Sequence, residues 1–167
     1  KKKIFIKKNL YQGNIFNQII EDYNIPINTV LVKKSIILEL DKKFDERFNH
    51  IGDFDLIIRL SKITSFAALQ YPTAVFRAHG NNLSTLDKMG SIKELELWLG
   101  ENSKKLSSQQ VDCIQKRIDS GKIIYLKLNG KYIDPLKFFF KKRKNITLKN
   151  LIIVFLPSFL LKKILWY

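Results

Sequence analysis

The stretch that decides the fold prediction is FNHIGDFDLIIRL, at residues 48–60. Its second half is apolar at helical spacing, so it predicts a helix over residues 53–62. Two carboxylates, Asp53 and Asp55, stand at the start of this helix, and Arg59 follows the second carboxylate by four residues. Carboxylates in this position either stabilise the end of the helix or carry out chemistry, and the surrounding sequence must distinguish the two.

The first half of the chain mixes helical and strand patterns around that helix. One further helix is predicted over residues 9–24, and a short one from Ser35 to Leu40. The short β-branched segment at residues 29–32 predicts a buried strand, and residues 65–69 and 74–77 predict two short strands around Tyr71-Pro72. This half is therefore predicted to be α/β, with α+β character.

The second half of the chain is predicted to be mostly helical. The capping-box pattern SIKE at residues 91–94 predicts the start of one helix. Ser107 or Ser108 would begin another helix, and Gly121 is well placed to end it. The sequence thus predicts three parts, which are a mixed part at 1–84, a helical extension at 85–136 and a basic amphipathic tail at 137–167.

The charge of the chain is strongly basic and uneven. Lysine and arginine number 30 against 15 acidic residues, and residues 137–167 contain eight basic residues and no acidic one. This excess predicts an anionic partner, either a nucleic acid or an acidic membrane surface. Cys113 is the only cysteine, which excludes an intrachain disulfide and any metal site built from a cysteine cluster.

The tail favours a membrane surface over a membrane span. Its apolar run at residues 151–161 contains Pro157, and a spanning helix needs about 20 apolar residues. Lysines at both ends of the run and the terminal Trp166-Tyr167 suit a segment lying in the interface of an anionic membrane. The alternative is a helix pair that packs back on the protein. A nucleic acid is less favoured, because the lysines adjoin an apolar segment rather than spaced aromatic residues.

The carboxylates of the central helix have two interpretations from chemistry alone. In the first, Asp53 caps the helix and Asp55 forms an exposed ion pair with Arg59. In the second, Asp53 and Asp55 act chemically, as a metal-binding D-x-D clamp or with Asp53 as a general base. A clamp usually sits on a loop after a strand, so the base is preferred. His79 is either a surface turn residue or a metal ligand.

Four motifs in series resemble the C-terminal, acceptor-side half of a family two glycosyltransferase with a GT-A fold. They are VLVKK at 30–34, KFDERF at 43–48, GDFDLIIRL at 52–60 and FRAHGNNLS at 76–84. The resemblance covers roughly residues 9–84, about half of the chain. It departs from the family pattern at Gly52, which replaces a usual glutamate, and at Lys42-Lys43, which replaces a glycine pair.

The resemblance implies a partial GT-A fold with a helical C-terminal extension. It also implies inverting transfer of a sugar from a nucleotide-diphosphate sugar to the hydroxyl of a glycan or lipid-linked acceptor. Asp53 matches the general base. Arg77, Asp55 and Arg59 become candidate substrate-binding residues, of which the last two are expected mainly to brace the helix that presents Asp53.

The resemblance further implies a divalent cation, Mg²⁺ or Mn²⁺, with His79 as one ligand. The main ligands are expected in an N-terminal half that would precede residue 9, so the chain alone is predicted to be inactive. The expected location is cytoplasmic, peripheral on the inner face of the membrane. The alternative function is a non-catalytic basic module that binds membrane or nucleic acid.

Overall fold

The structure is a computed structural model, and it describes residues 9–75, 87–130, 133–141, 148–158 and 160–161. The chain forms two compact units, Lys1–Asn82 and Leu83–Tyr167. Within the described ranges, no helix is both long enough and apolar enough to cross a membrane.

The first unit contains three short α-helices. They are α1 (Phe16–Glu21), α2 (Lys34–Leu38) and α3 (Gly52–Ser61), and a 3-10 turn lies at Ile27–Thr29. The helix predicted at residues 53–62 is therefore confirmed to within one residue. The helix predicted over residues 9–24 is much shorter, because only residues 16–21 take up helical geometry.

Helix α3 is the centre of the first unit. Helix α1 packs against it, and the Tyr23 ring meets the Phe54 ring edge to face at 5.3 Å. Lys62, just after α3, lies over the Phe16 ring at 5.2 Å. The buried apolar side chains of this unit are Ile15, Ile19, Ile20, Phe48, Ile51, Phe54, Leu56, Ile57, Ile58 and Leu60. Because α3 supplies five of these ten, its position is set by the core.

The prediction of an α/β, GT-A fold is wrong, because the part of the chain that the structure describes is helical and contains no strand. Thr29 belongs to the 3-10 turn, and the side chain of Leu31 is 99% exposed. The β-branched side chains at residues 29–32 would fit the pleated surface of a sheet. Such a segment forms a strand only where another strand is available to pair with it. Residues 74–75 are irregular, and residues 76–77 lie outside the described ranges.

The predicted strand at residues 65–69 is replaced by a local antiparallel tie. Gly13 and Phe66 exchange two backbone hydrogen bonds, of 2.7 and 2.9 Å. The carboxamide of Gln70 continues the pairing, since it accepts from the Leu10 N–H at 2.9 Å and donates to the Leu10 carbonyl at 3.1 Å. One bridge and one side-chain amide thus join the two segments without forming a sheet.

The second unit contains four helices in the described ranges. They are α4 (Lys88–Asn102), α5 (Ser108–Leu128), α6 (Ile133–Lys141) and α7 (Leu148–Phe155). Helix α5 begins at the predicted cap Ser107, which forms a capping box that was not predicted: Ser107 and Gln110 exchange side-chain and backbone hydrogen bonds. Helix α4 begins earlier than predicted, because Asp87 rather than Ser91 caps it by accepting from the Gly90 N–H at 2.8 Å.

Gly121 does not end α5 as predicted, and the helix continues to Leu128. A Cβ atom at Gly121 would lie 3.0 Å from Cγ1 of the buried Ile92 side chain on α4. The missing side chain therefore allows α4 and α5 to approach each other closely. In the sequence, a glycine with this packing role cannot be told from a glycine that ends a helix.

Replacing Gly121 with leucine is expected to lower the free energy of unfolding by about 1–3 kcal/mol, because the new side chain overfills the contact with Ile92. Thermal and urea unfolding, followed by circular dichroism, would measure the loss. Gly100→Ala is the matched control, since nothing lies within 4 Å of its added Cβ. That control should gain up to about 1 kcal/mol from helix propensity. A Gly121→Leu variant as stable as the parent would contradict the close contact.

Side chains from α5, α6, α7 and the residues just after α7 form a hydrophobic cluster in the second unit. Its buried members are Ile123, Ile153, Val154 and Leu161, and the partly buried side chains around them come from α5, from α6 and from Leu156, just after α7. The buried Lys127 of α5 donates from Nζ to the Val154 carbonyl at 2.7 Å. A cation at the last turn of α7 interacts favourably with the negative end of that helix, so this contact fastens α7 onto α5.

Candidate active site

The candidate site is built on α3 and on the loop before it. Asp53 and Asp55 lie in the first turn of α3, and Arg59 lies in its last turn. This order places negative charge at the positive end of the helix and positive charge at its negative end. The residue that caps α3 is Ile51, which supplies no side-chain hydrogen bond to the helix.

Asp55 and Arg59 form the firmest contact of the site. Arg59 Nε donates to Asp55 Oδ2 at 2.9 Å, and Arg59 Nη2 lies 2.8 Å from the same oxygen. The Asp55 side chain is only 10% exposed, and that of Arg59 is 26% exposed. The predicted pair is therefore made, but it is largely buried instead of exposed, which raises the cost of breaking it.

The Arg59 guanidinium also binds the loop that precedes α3. Its Nη1 donates to the Lys42 carbonyl, and its Nη2 donates to the Lys43 carbonyl at 2.8 Å. Arg59 thus joins the Asp55 carboxylate to two successive backbone carbonyls, about 16 residues away in the chain. This arrangement fixes the loop against the helix that carries Asp53.

Asp45 and Arg47 form a second ion pair within the same loop. Arg47 Nη2 and Nε donate to the two oxygens of Asp45, at 2.7 and 2.9 Å, and Lys42 Nζ lies 3.6 Å from Oδ2. The Arg47 guanidinium also lies over the Phe48 ring at 5.4 Å. Sequence reasoning named these residues only as part of a motif, although the spacing of Asp45 and Arg47 allows a local turn of this kind.

The side-chain hydrogen bonds from Arg47 hold the pKa of Asp45 well below its ordinary value of 3.8, and partial burial opposes them only in part. A depressed pKa in the folded state adds stability above the ordinary pKa, and this contribution is lost as the pH falls towards the folded pKa. The stability contributed by Asp45 is therefore complete at neutral pH and is lost in acid.

The difference in melting temperature between the parent and Asp45→Asn is expected to be largest at neutral pH. It should shrink as the pH falls below 3.8, because the Asp45 carboxylate of the unfolded parent then takes up a proton, which favours unfolding, while the folded parent stays ionised. Melting curves of both proteins between neutral and strongly acidic pH would measure this. A difference that stays constant over the whole range would contradict the Arg47 pairing.

Asp53 stands apart from these pairs, at the half-buried start of α3. Its Oδ1 accepts from the Phe54 N–H at 2.7 Å. Among the described residues, the carboxylate makes no other hydrogen bond or ion pair. The contact with Phe54 is what a residue that stabilises the helix end would make, and the other oxygen, Oδ2, leaves room for a second role.

The remaining predicted site residues, Arg77 and His79, lie outside the described residues. The described part of the chain holds no group of three or more His, Cys, Asp or Glu side chains that could bind a metal ion. Because the predicted ligand His79 lies outside those residues and the main ligands were expected in an N-terminal half, the Mg²⁺ or Mn²⁺ site stays a prediction.

Comparisons with known proteins find no family, no curated protein and no solved structure that matches this chain.

Proposed function

We propose that this chain is the acceptor-side portion of an inverting glycosyltransferase. It would move a sugar from a nucleotide-diphosphate sugar to a hydroxyl of a glycan or of a lipid-linked acceptor. The motif series at residues 30–84 supports the proposal. The observation that carries it is the position of Asp53, which is half-buried among buried neighbours in the first turn of a helix that the Asp55–Arg59 pair braces.

Asp53 would act as the general base of the transfer. It would accept the proton of the acceptor hydroxyl as that oxygen forms its bond to the anomeric carbon, while the bond from this carbon to the diphosphate oxygen breaks. A base must lie within about 3 Å of the proton it removes. With Oδ1 engaged by the Phe54 N–H, Oδ2 is the oxygen proposed to face the acceptor.

Asp55 and Arg59 are proposed as positioning residues. They were predicted as substrate-binding residues, yet their polar groups contact each other and the Lys42 and Lys43 carbonyls. Their part in the reaction is to hold α3, and therefore Asp53, at a fixed angle to the loop. Accurate placement of a base matters because a shift of about 1 Å can cost a hundredfold in rate.

The other parts of the proposal rest on the motif resemblance alone. Arg77 would stabilise the departing diphosphate, and His79 would help to bind a divalent cation. The donor-binding residues would be supplied by sequence other than residues 9–84. The described residues carry no step of the chemistry that these groups would perform.

The proposed location is cytoplasmic, peripheral on the inner face of the membrane. The supporting feature is the basic segment at residues 137–167, which would place the site near lipid-linked acceptors. The same feature favours the second candidate function, a non-catalytic basic module. The two candidates differ because only the first requires Asp53.

Sugar incorporation in membranes of the source cell tests the proposal. Membranes of a strain that lacks the gene would be compared with parent membranes, using radiolabelled UDP-glucose, UDP-galactose, UDP-N-acetylglucosamine and GDP-mannose as donors. We expect incorporation from one donor to fall in the strain without the gene and to return when the gene is restored. Equal incorporation from all four donors would favour the non-catalytic module.

A further inference from the structure

Helix α6 exposes one face that combines an aromatic ring with lysines. The helix covers Ile133–Lys141, and Leu136, Phe138 and Phe139 on one side pack against the buried cluster of the second unit. Lys137, Phe140 and Lys141 are exposed, at positions three and four residues apart that share one side of a helix. The Phe140 ring is 65% exposed, with its only described ring contact an edge-to-face contact with Phe139 at 5.6 Å.

Helix α7 repeats this arrangement. Ile153 and Val154 are buried against α5, whereas Ile152 and Phe155 are exposed. Ile152 and Phe155 lie three residues apart and so share one side of the helix, and the Phe155 ring is 67% exposed. The buried Lys127 holds α7 to α5 through the Val154 carbonyl, so the exposed side is a fixed face that points away from the cluster.

Both helices therefore carry apolar side chains that the cluster does not use. The alternative from the sequence, a helix pair that merely packs back on the protein, accounts for the inner sides of α6 and α7. It does not account for two phenylalanines that remain about two-thirds exposed. Exposed aromatic side chains in a segment with this much apolar surface mark an interaction site.

The charge of this segment identifies the kind of partner. Residues 137–167 contain eight basic residues and no acidic one. Asp134, the acid closest before them, sits in the first turn of α6, three residues before Lys137 and on the same side of the helix, and the sequence beyond it is wholly basic in charge. Basic side chains beside exposed aromatic and aliphatic ones suit the boundary between anionic headgroups and acyl chains.

We propose that the outer faces of α6 and α7 form the surface by which this protein lies on an anionic lipid bilayer. Phe140, Ile152 and Phe155 enter the acyl boundary, and Lys137 and Lys141 contact the phosphate groups. The inference rests on the peripheral location proposed above and is independent of the sugar-transfer chemistry. It assigns the contact to two folded helices instead of to the terminal residues.

Vesicle co-sedimentation of the full chain tests the inference. The probes are phosphatidylcholine vesicles with and without phosphatidylglycerol. The parent is expected to bind the anionic vesicles more tightly. Phe140→Ser combined with Phe155→Ser should weaken that binding at least about tenfold, because the variant has no aromatic rings at these positions to transfer from water into the membrane interface. Both side chains are exposed, so melting curves should stay close to that of the parent.

A second variant separates charge from apolar contact. Lys137→Gln combined with Lys141→Gln should weaken binding to anionic vesicles by about thirtyfold, since each lysine near an anionic surface strengthens binding about fivefold. Its weak binding to pure phosphatidylcholine should not change. Leu97→Ser is the matched control, because Leu97 is an exposed apolar residue of the same unit, on α4, and should bind like the parent.

The possible outcomes separate this inference from the proposed function. Strong anionic binding that survives both double variants would leave the peripheral location standing and overturn the assignment to α6 and α7. Equal binding to both kinds of vesicle would overturn both. Tighter binding to a single-stranded oligonucleotide, lost in the same variants, would make this surface a nucleic-acid site. Asp53→Asn should bind vesicles like the parent, whatever its transfer activity.

Discussion

Replacing Arg59 with alanine is expected to destabilise the first unit by about 3 kcal/mol. The change leaves the carboxylate of Asp55, which is 10% exposed, without its ion-pair partner, and breaking a pair of this kind costs about 3–5 kcal/mol when it is fully buried. The lower end of that range applies because the Arg59 side chain is 26% exposed. The same change frees the Lys42 and Lys43 carbonyls from their side-chain donors.

Hydrogen exchange of the backbone amides of α3 measures this effect, because it reports the free energy of opening of the helix itself. Arg47→Ala is the matched control. It removes another arginine whose partner carboxylate is 10% exposed, but the Arg47 side chain is 48% exposed and Asp45 keeps Lys42 Nζ at 3.6 Å, so its loss should be smaller. Arg59→Lys should fall between the two, because an ammonium cannot reproduce the fork of the guanidinium. Protection of α3 that is equal in Arg59→Ala and Arg47→Ala would contradict the bracing role.

The helices were the part of the fold that the sequence could predict. The spacing of Leu56, Ile57 and Leu60 predicted α3 to within one residue, and those side chains are buried. Ser107 or Ser108 was predicted to begin α5, and Ser107 caps it. Both signals are local, since they depend on residues within one or two helical turns.

The strands were the part that could not be predicted. Residues 29–32 and 65–69 have the composition of strands, but pairing depends on neighbours that a local pattern does not specify. Leu31 is exposed, and Phe66 makes one bridge only. The prediction that Gly121 ends α5 was wrong for a related reason. The role of Gly121 depends on its contact with Ile92 of another helix and not on its own sequence context.

The candidate site also has a part that local sequence patterns predict and a part that only the structure shows. The i, i+4 spacing of Asp55 and Arg59 predicted their pairing, whereas the burial of Asp55 depends on the core around α3. The contacts of Arg59 with the Lys42 and Lys43 carbonyls span 17 and 16 residues, so no local sequence pattern predicts them. Sequence therefore supplied the candidate base and its helix, and the structure supplied the bracing of that helix.

Replacing Asp53 with asparagine is expected to have the largest effect on activity. Asparagine keeps an oxygen that can accept from the Phe54 N–H, so α3 should remain folded. It cannot take up the proton of the acceptor hydroxyl, and loss of a general base lowers rates by about 10²–10⁴-fold. Initial rates of sugar incorporation, in membranes from cells that carry the substitution in the native gene, would measure the loss.

Asp53→Glu gives an intermediate test of the same role. The longer side chain keeps the carboxylate but moves it along the helix axis, so activity should be reduced less than in Asp53→Asn. A general base tolerates such a shift only in part, because proton transfer needs hydrogen-bond distance. If Asp53→Glu is no more active than Asp53→Asn, placement of the carboxylate is as important as its presence.

The most direct test of the central claim compares Asp53→Asn with Asp112→Asn, at equal amounts of folded protein in the membranes. Asp112 is an exposed aspartate on α5, in the other unit, and serves as the matched control. If Asp53 is the base of a sugar transfer, incorporation from the active donor should fall by at least about a hundredfold in Asp53→Asn and stay at the parent rate in Asp112→Asn. Incorporation in Asp53→Asn within twofold of the Asp112→Asn rate would contradict the claim.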